Sequence, residues 1–135
     1  MNLEHQVCSL ELSKKLKELG VEQESLFYWT KPHYEDNLPF VCWYEEKFVN
    51  GTQKWEQYSA FTVAELGEML PCYLWGRFLT INKSADGSWV VFYEENVIGF
   101  TVDKTVLIED QVADTEADAR SKMLIYLLEN KLITL

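Results

Sequence analysis

The segment FTVAELGEMLP, residues 61–71, limits what this chain can fold into more than any other stretch. Thr62 and Glu65 have the spacing of a capping box, in which each side chain satisfies the other residue's backbone N–H at a helix start. Phe61, just before the cap, and Leu66, inside the first turns, are spaced as a hydrophobic staple. Pro71 cannot continue a helix. The segment therefore predicts a helix of about two turns, too short to be stable without tertiary packing. Whatever surrounds it must supply that packing.

On both sides the sequence turns to β patterns. SLFYWTK (25–31) is an aromatic strand candidate that Pro32 ends. PFVCWYEEKF (39–48) is a second, and Asn50-Gly51 is the strongest short hairpin signal, because a type I′ turn needs positive φ at both central residues. Val41–Val49 and Thr52–Ser59 are therefore predicted to pair. After the short helix, Leu79-Thr80-Ile81 and Val90-Val91-Phe92 flank a second turn at Asp86-Gly87. VIGFTVDKTVLIED (97–110) is read as a strand or a structured loop.

Helices are predicted at both ends. SLELSKKLKELG (9–20) has Ser9 as N-cap, Gly20 as the residue after the helix, and Leu12, Leu16 and Leu19 on one face. Leu3, Val7 and Leu10 would point the opposite way, so the helix starts near Ser9. DTEADARSKMLIYLLEN (114–130) is capped by Asp114 or Thr115 and carries a broad apolar stripe that includes Ala117, Met123, Leu124, Leu127 and Leu128. Asn130 is the predicted left-handed stop. The fold class that follows is α+β. It has one domain over residues 1–135, an antiparallel sheet built from hairpins, and an N-terminal, a short central and a long C-terminal helix packed beside it.

Charge removes several functions. The net charge is −10, and residues 32–111 carry 13 acidic against 5 basic side chains. Phosphate backbones and anionic membranes are bound through Lys and Arg, so direct nucleic-acid and membrane-surface binding are disfavoured. No apolar run reaches the ~20 residues of a membrane span. Cys8, Cys42 and Cys72 are odd in number and widely spaced, which predicts reduced thiols in a cytosolic protein.

Chemical motifs are sparse. Neither a P-loop nor GxGxxG occurs, GxSxG is missing, and no CxxC or HxxxH provides zinc spacing. No cofactor or metal is therefore predicted. Paired acids at Glu45-Glu46, Glu94-Glu95, Glu109-Asp110 and Asp114/Asp118 leave open a small hydrolase or nuclease using a divalent metal. Neighbouring acids on a strand point to opposite faces, which weakens Glu45-Glu46 as a pair. The stretch LFYWTKPHYEDNLPFVCWY (26–44) divides into two aromatic strands around a polar loop, and His33, Tyr34, Glu35 and Asp36 of that loop form the candidate contact surface.

Three blocks, Ser9–Trp29, Ala60–Pro71 and Thr115–Ile133, cover about two-fifths of the chain. In this order and spacing they resemble a functionally uncharacterised family of small proteins encoded by bacteriophages and prophages. The resemblance implies a phage-derived accessory protein and brings no catalytic residues with it. The expected function is non-enzymatic protein–protein contact with a host or phage protein, a DNA mimic being its narrower form. The metal-dependent enzyme is one alternative. A phage structural or assembly component, oligomerising through a strand edge or the LITL tail, is another.

Overall fold

The computed structural model describes residues 2–31, 38–43, 56–95 and 104–135. Its elements run α1 (Leu10–Glu18), β1 (Tyr28–Lys31), β2 (Phe40–Cys42), β3 (Glu56–Ser59), α2 (Val63–Met69), β4 (Tyr73–Leu74), β5 (Arg77–Lys83), β6 (Trp89–Glu95), β7 (Gln111–Ala113) and α3 (Glu116–Glu129). A 3₁₀ turn, Leu3–His5, precedes α1. The fold is α+β, with the three helices beside antiparallel strands. Among the described residues no helix is long and apolar enough to cross a membrane.

Among the described residues the strands form two sheets, where the sequence pattern predicts one. Three strands pair in the order β2-β1-β3 and four in the order β4-β5-β6-β7. The predicted pairing of Val41–Val49 with Thr52–Ser59 is corrected over its described ends. Cys42 lies opposite Tyr28 and Ser59 lies opposite the other side of Tyr28, so β1 sits between β2 and β3. The Asn50-Gly51 turn itself lies outside the described residues. A turn signal specifies a local reversal, and the pairing of the arms is decided by which strand best fills the space beside Tyr28 and Trp29.

The central helix forms as the sequence predicts. Thr62 Oγ1 accepts from the Glu65 N–H at 3.2 Å, and Glu65 Oε2 accepts from the Thr62 N–H at 2.8 Å. The second Glu65 oxygen accepts from the Leu26 N–H at 2.8 Å, which ties this helix start to the approach to β1. Phe61 and Leu66 are both buried in the main core.

That core lies between α1, α2, α3 and one face of the four-stranded sheet. Leu16 of α1, Leu66 of α2, Val91 and Tyr93 of β6, and Leu124 and Leu127 of α3 meet there. α3 is the central element because its apolar stripe is broad enough to touch α1, α2, β6 and β7. Ser13 of α1 and Ala117, Ala119 and Ser121 of α3 are fully buried small residues. A second cluster of Val7, Trp29 and Ala60 backs the three-stranded sheet, and Leu3 and Leu10 point into it. The opposed faces of the N-terminal segment thus serve two different cores.

Helix ends show one match and one correction. Gly20, at φ 88°, follows α1, and its N–H donates to Lys17 O while Val21 N–H donates to Leu16 O. These paired bonds define a Schellman stop with glycine at the left-handed position. α3 ends the same way, but the left-handed residue is Lys131 (φ 55°) and not Asn130, whose φ is −89°. The Leu132 N–H reaches back to Leu127 O and so places the reversal one residue later than predicted. Lys131→Gly should therefore raise stability by about 0.5–1 kcal/mol, because relief of the left-handed penalty outweighs the added freedom of the unfolded chain. Thermal unfolding checks this, and a lowered midpoint would contradict it.

Candidate interaction surface

His33, Tyr34, Glu35 and Asp36, the predicted contact residues, lie outside the described residues, as do Glu45 and Glu46. Three settings among the described residues bear on function: a buried knot, a groove and an open sheet face.

The first is a buried knot around Cys8. Its sulfur is 2.9 Å from Ser13 Oγ and donates to Ser59 O at 3.8 Å. Its N–H donates to Phe61 O, and its carbonyl accepts from Trp29 Nε1 at 2.8 Å. Burial pushes the thiol pKa up, which leaves it protonated and a poor nucleophile. The side chains that hydrogen-bond its sulfur are the Ser13 and Ser121 hydroxyls, and the nearby Asp118 carboxylate raises the thiol pKa further. Cys42 is likewise buried, with its sulfur 3.0 Å from Thr30 Oγ1, to which Gln57 Nε2 also donates at 2.8 Å. Cys72 is exposed. A thiol reagent applied to the native protein should modify Cys72 alone, and Cys8 and Cys42 should react only on unfolding. Mass spectrometry of the labelled sites checks this, and labelling of native Cys8 would contradict the burial.

The second setting is a groove of about 630 Å³ between the N-terminal segment, α2 and the start of α3. His5, Lys83, Asp114 and Glu116 line it around the Trp89 ring. Lys83 Nζ lies 5.6 Å above that ring, and Glu116 accepts from Arg120 at 3.3 Å, so both charges are engaged within the protein. Among the described residues no three His, Cys, Asp or Glu side chains come close enough to hold a metal ion. The described carboxylates of residues 32–111 are spread over β3, α2, the β5–β6 loop, β6 and the approach to β7, and Glu65 is spent on capping. In the LITL tail, Leu132 and Ile133 pack on the main core.

The third setting is the outer face of the four-stranded sheet. Strand alternation puts Leu79, Ile81, Val91 and Tyr93 inward against the helices. It puts Phe78, Thr80, Val90, Phe92 and Glu94 outward, with Val112 beside Val90. Among the described residues no helix covers this face. At its corner β4 and β5 join through Trp75-Gly76, with Leu74 opposite Arg77. Both turn residues have positive φ, 53° and 83°, as a type I′ turn requires. Glycine is at home there, but a tryptophan in the left-handed region carries a backbone penalty of about 1–2 kcal/mol. Trp75 is nonetheless 44% exposed, so the penalty is not offset by full burial of its ring.

No protein-family model, curated protein or solved structure matches the chain. The residues of this corner must therefore speak for themselves. Tyr73 and Phe78 meet edge to face at 5.3 Å between ring centres, and they are 42% and 40% exposed. Below them the buried Arg77 guanidinium donates to Trp75 O at 3.4 Å and to Val106 O at 3.0 Å. The Tyr93 hydroxyl donates to Pro71 O at 2.7 Å. The turn is thus held from inside by buried polar groups while its rings face out. Sequence reading places only one turn in residues 73–95, at Asp86-Gly87. The Trp75-Gly76 turn escaped it, although glycine at the second central position was the available signal.

Proposed function

We propose that this is an accessory protein of bacteriophage or prophage origin that acts by protein–protein contact. The contact surface is the outer face of the four-stranded sheet with Trp75 at its corner. The resemblance of the three sequence blocks supports the origin. The observation that carries the contact reading is an exposed tryptophan held in a left-handed turn. Penalised backbone conformations persist where surrounding structure imposes them, and they concentrate at functional sites. Tryptophan and tyrosine are also the side chains most enriched among residues that dominate binding energy.

Trp75→Asn tests this reading. Asn-Gly is the preferred type I′ pair, so the hairpin is retained and stability should stay within about 1 kcal/mol of wild type. Immobilised wild-type protein should retain a bacterial host protein from lysate that the variant releases, with affinity lowered about tenfold or more. Identical proteins retained at equal strength by both would overturn the reading.

A further inference from the structure

We infer that the outer sheet face receives a basic amphipathic helix of a partner protein, an inference that rests on the contact reading above and specifies its occupant. Three observations lead to it. The first is the shape of the sheet. β4 and β7, its edges, have two and three residues, too few for an incoming strand to build a ladder. β5 and β6 have seven residues each, so the central face runs about 23 Å, the length of a helix of about 15 residues. Four strands make it about 15–20 Å wide, against a helix diameter of about 10–12 Å. A helix laid along the face fits these dimensions.

The second is chemistry along the face. Val90 and Phe92 are half-buried and Val112 is half-exposed, so each leaves apolar surface facing outward. By register Phe92 lies diagonal to Phe78 and Val90 lies beside Val112, which makes an apolar strip bordered by Thr80, Asn82 and Glu94. The facing surface of the occupant must therefore be apolar, with helical periodicity.

The third is charge. Glu94 and Glu95 close β6 beside Phe78 and Arg77, and the exposed Glu109 and Asp110 lead into β7 alongside the same end. Residues 73–113 contain only three basic side chains. Arg77 is buried on carbonyls, and Lys83 lies at the far end of β5 over Trp89. Lys122 of α3 is spent on the Val112 carbonyl at 2.9 Å, and no ion pair among the described residues joins a cation to any of the four carboxylates. A second copy of this chain would set those carboxylates against themselves, whereas lysines and arginines flanking an apolar helix face would meet them.

The test uses the full-length protein and three fluorescent synthetic peptides. One is a Leu/Lys peptide of helical periodicity, one its scrambled isomer of identical charge, and one its Leu/Glu counterpart. The amphipathic Leu/Lys peptide should bind saturably and about tenfold or more tighter than the scrambled one. Phe92→Ser and the exposed-site variant Val112→Lys should each weaken it by a similar factor. Glu94→Lys should weaken it and flatten its salt dependence. Equal binding of the scrambled peptide would reduce the effect to net charge and overturn the inference. So would indifference to both Phe92→Ser and Val112→Lys in variants whose thermal unfolding is intact, or no saturable binding. If the peptides fail while Trp75→Asn still abolishes capture of a host protein, the contact surface stands and only its helical, basic occupant falls.

Discussion

Replacing Phe61 by alanine should destabilise the protein by about 3–5 kcal/mol, the largest effect expected of any single substitution considered. Phe61 is 1% exposed and is the largest fully buried side chain among the described residues. Its ring packs in the main core with Leu66, and its carbonyl accepts the Cys8 N–H at 2.9 Å. It also adjoins Thr62, whose backbone bridges Val7. The alanine variant leaves a cavity where α2 is anchored, and a helix of seven residues has little intrinsic stability to resist it. Denaturant unfolding should show a lower midpoint with an unchanged slope. Phe61→Leu, which keeps most of the volume, should cost clearly less. A loss below about 1 kcal/mol for the alanine variant would mean that the staple is not an anchor.

Features made within a few residues of chain were legible in the sequence. The Thr62–Glu65 box, the Gly20 stop and the cap at Thr115 all depend on groups that the chain itself places in contact. The α+β class followed from them. Features that depend on distant segments were not legible. The sequence shows that 56–59 is a strand but not that it pairs with β1, because that choice depends on packing beside Tyr28 and Trp29. The knot at Cys8 gathers Ser13 and Ser59 with Phe61 and Trp29, and no local pattern announces it. Gly67 is a similar case. A glycine inside a seven-residue helix looks like a defect, but it lies under the end of the Arg120 side chain of α3, whose Nη1 would have to shift to admit a Cβ 2.7 Å away. The proposed contact surface depends on both the register of β4 to β7 and the sign of φ at Trp75. The predicted surface at His33–Asp36 lies outside the described residues.

The second large effect is expected at Asp118, where a carboxylate joins two helix starts. Its Oδ1 accepts the Ser9 N–H at 2.7 Å, while its own N–H donates to Thr115 Oγ1 at 3.1 Å. Ser9 is the N-cap of α1 but makes no side-chain capping bond, so the carboxylate of α3 does part of that work from outside. Removing it with Asp118→Ala leaves a partly buried donor unpaired and should cost about 1–3 kcal/mol. Asp118→Asn keeps an acceptor in place and should cost much less. The two variants also separate hydrogen bonding from charge. Burial, as the main cause, raises the Asp118 pKa above the ordinary carboxylate range, and the Ser9 hydrogen bond only partly opposes it. The folded state therefore holds this proton to higher pH than the unfolded chain does. That contribution to stability is fully present below the unfolded value, about 3.9, and is lost as pH rises through the folded one. Wild type should thus lose stability relative to Asp118→Asn on going from the acid end of the carboxylate range to neutrality. Urea unfolding of both proteins across that range gives the difference directly. A difference that shrinks toward neutral pH would mean that the hydrogen bond from Ser9 outweighs burial and that the carboxylate is stabilised in its charged form.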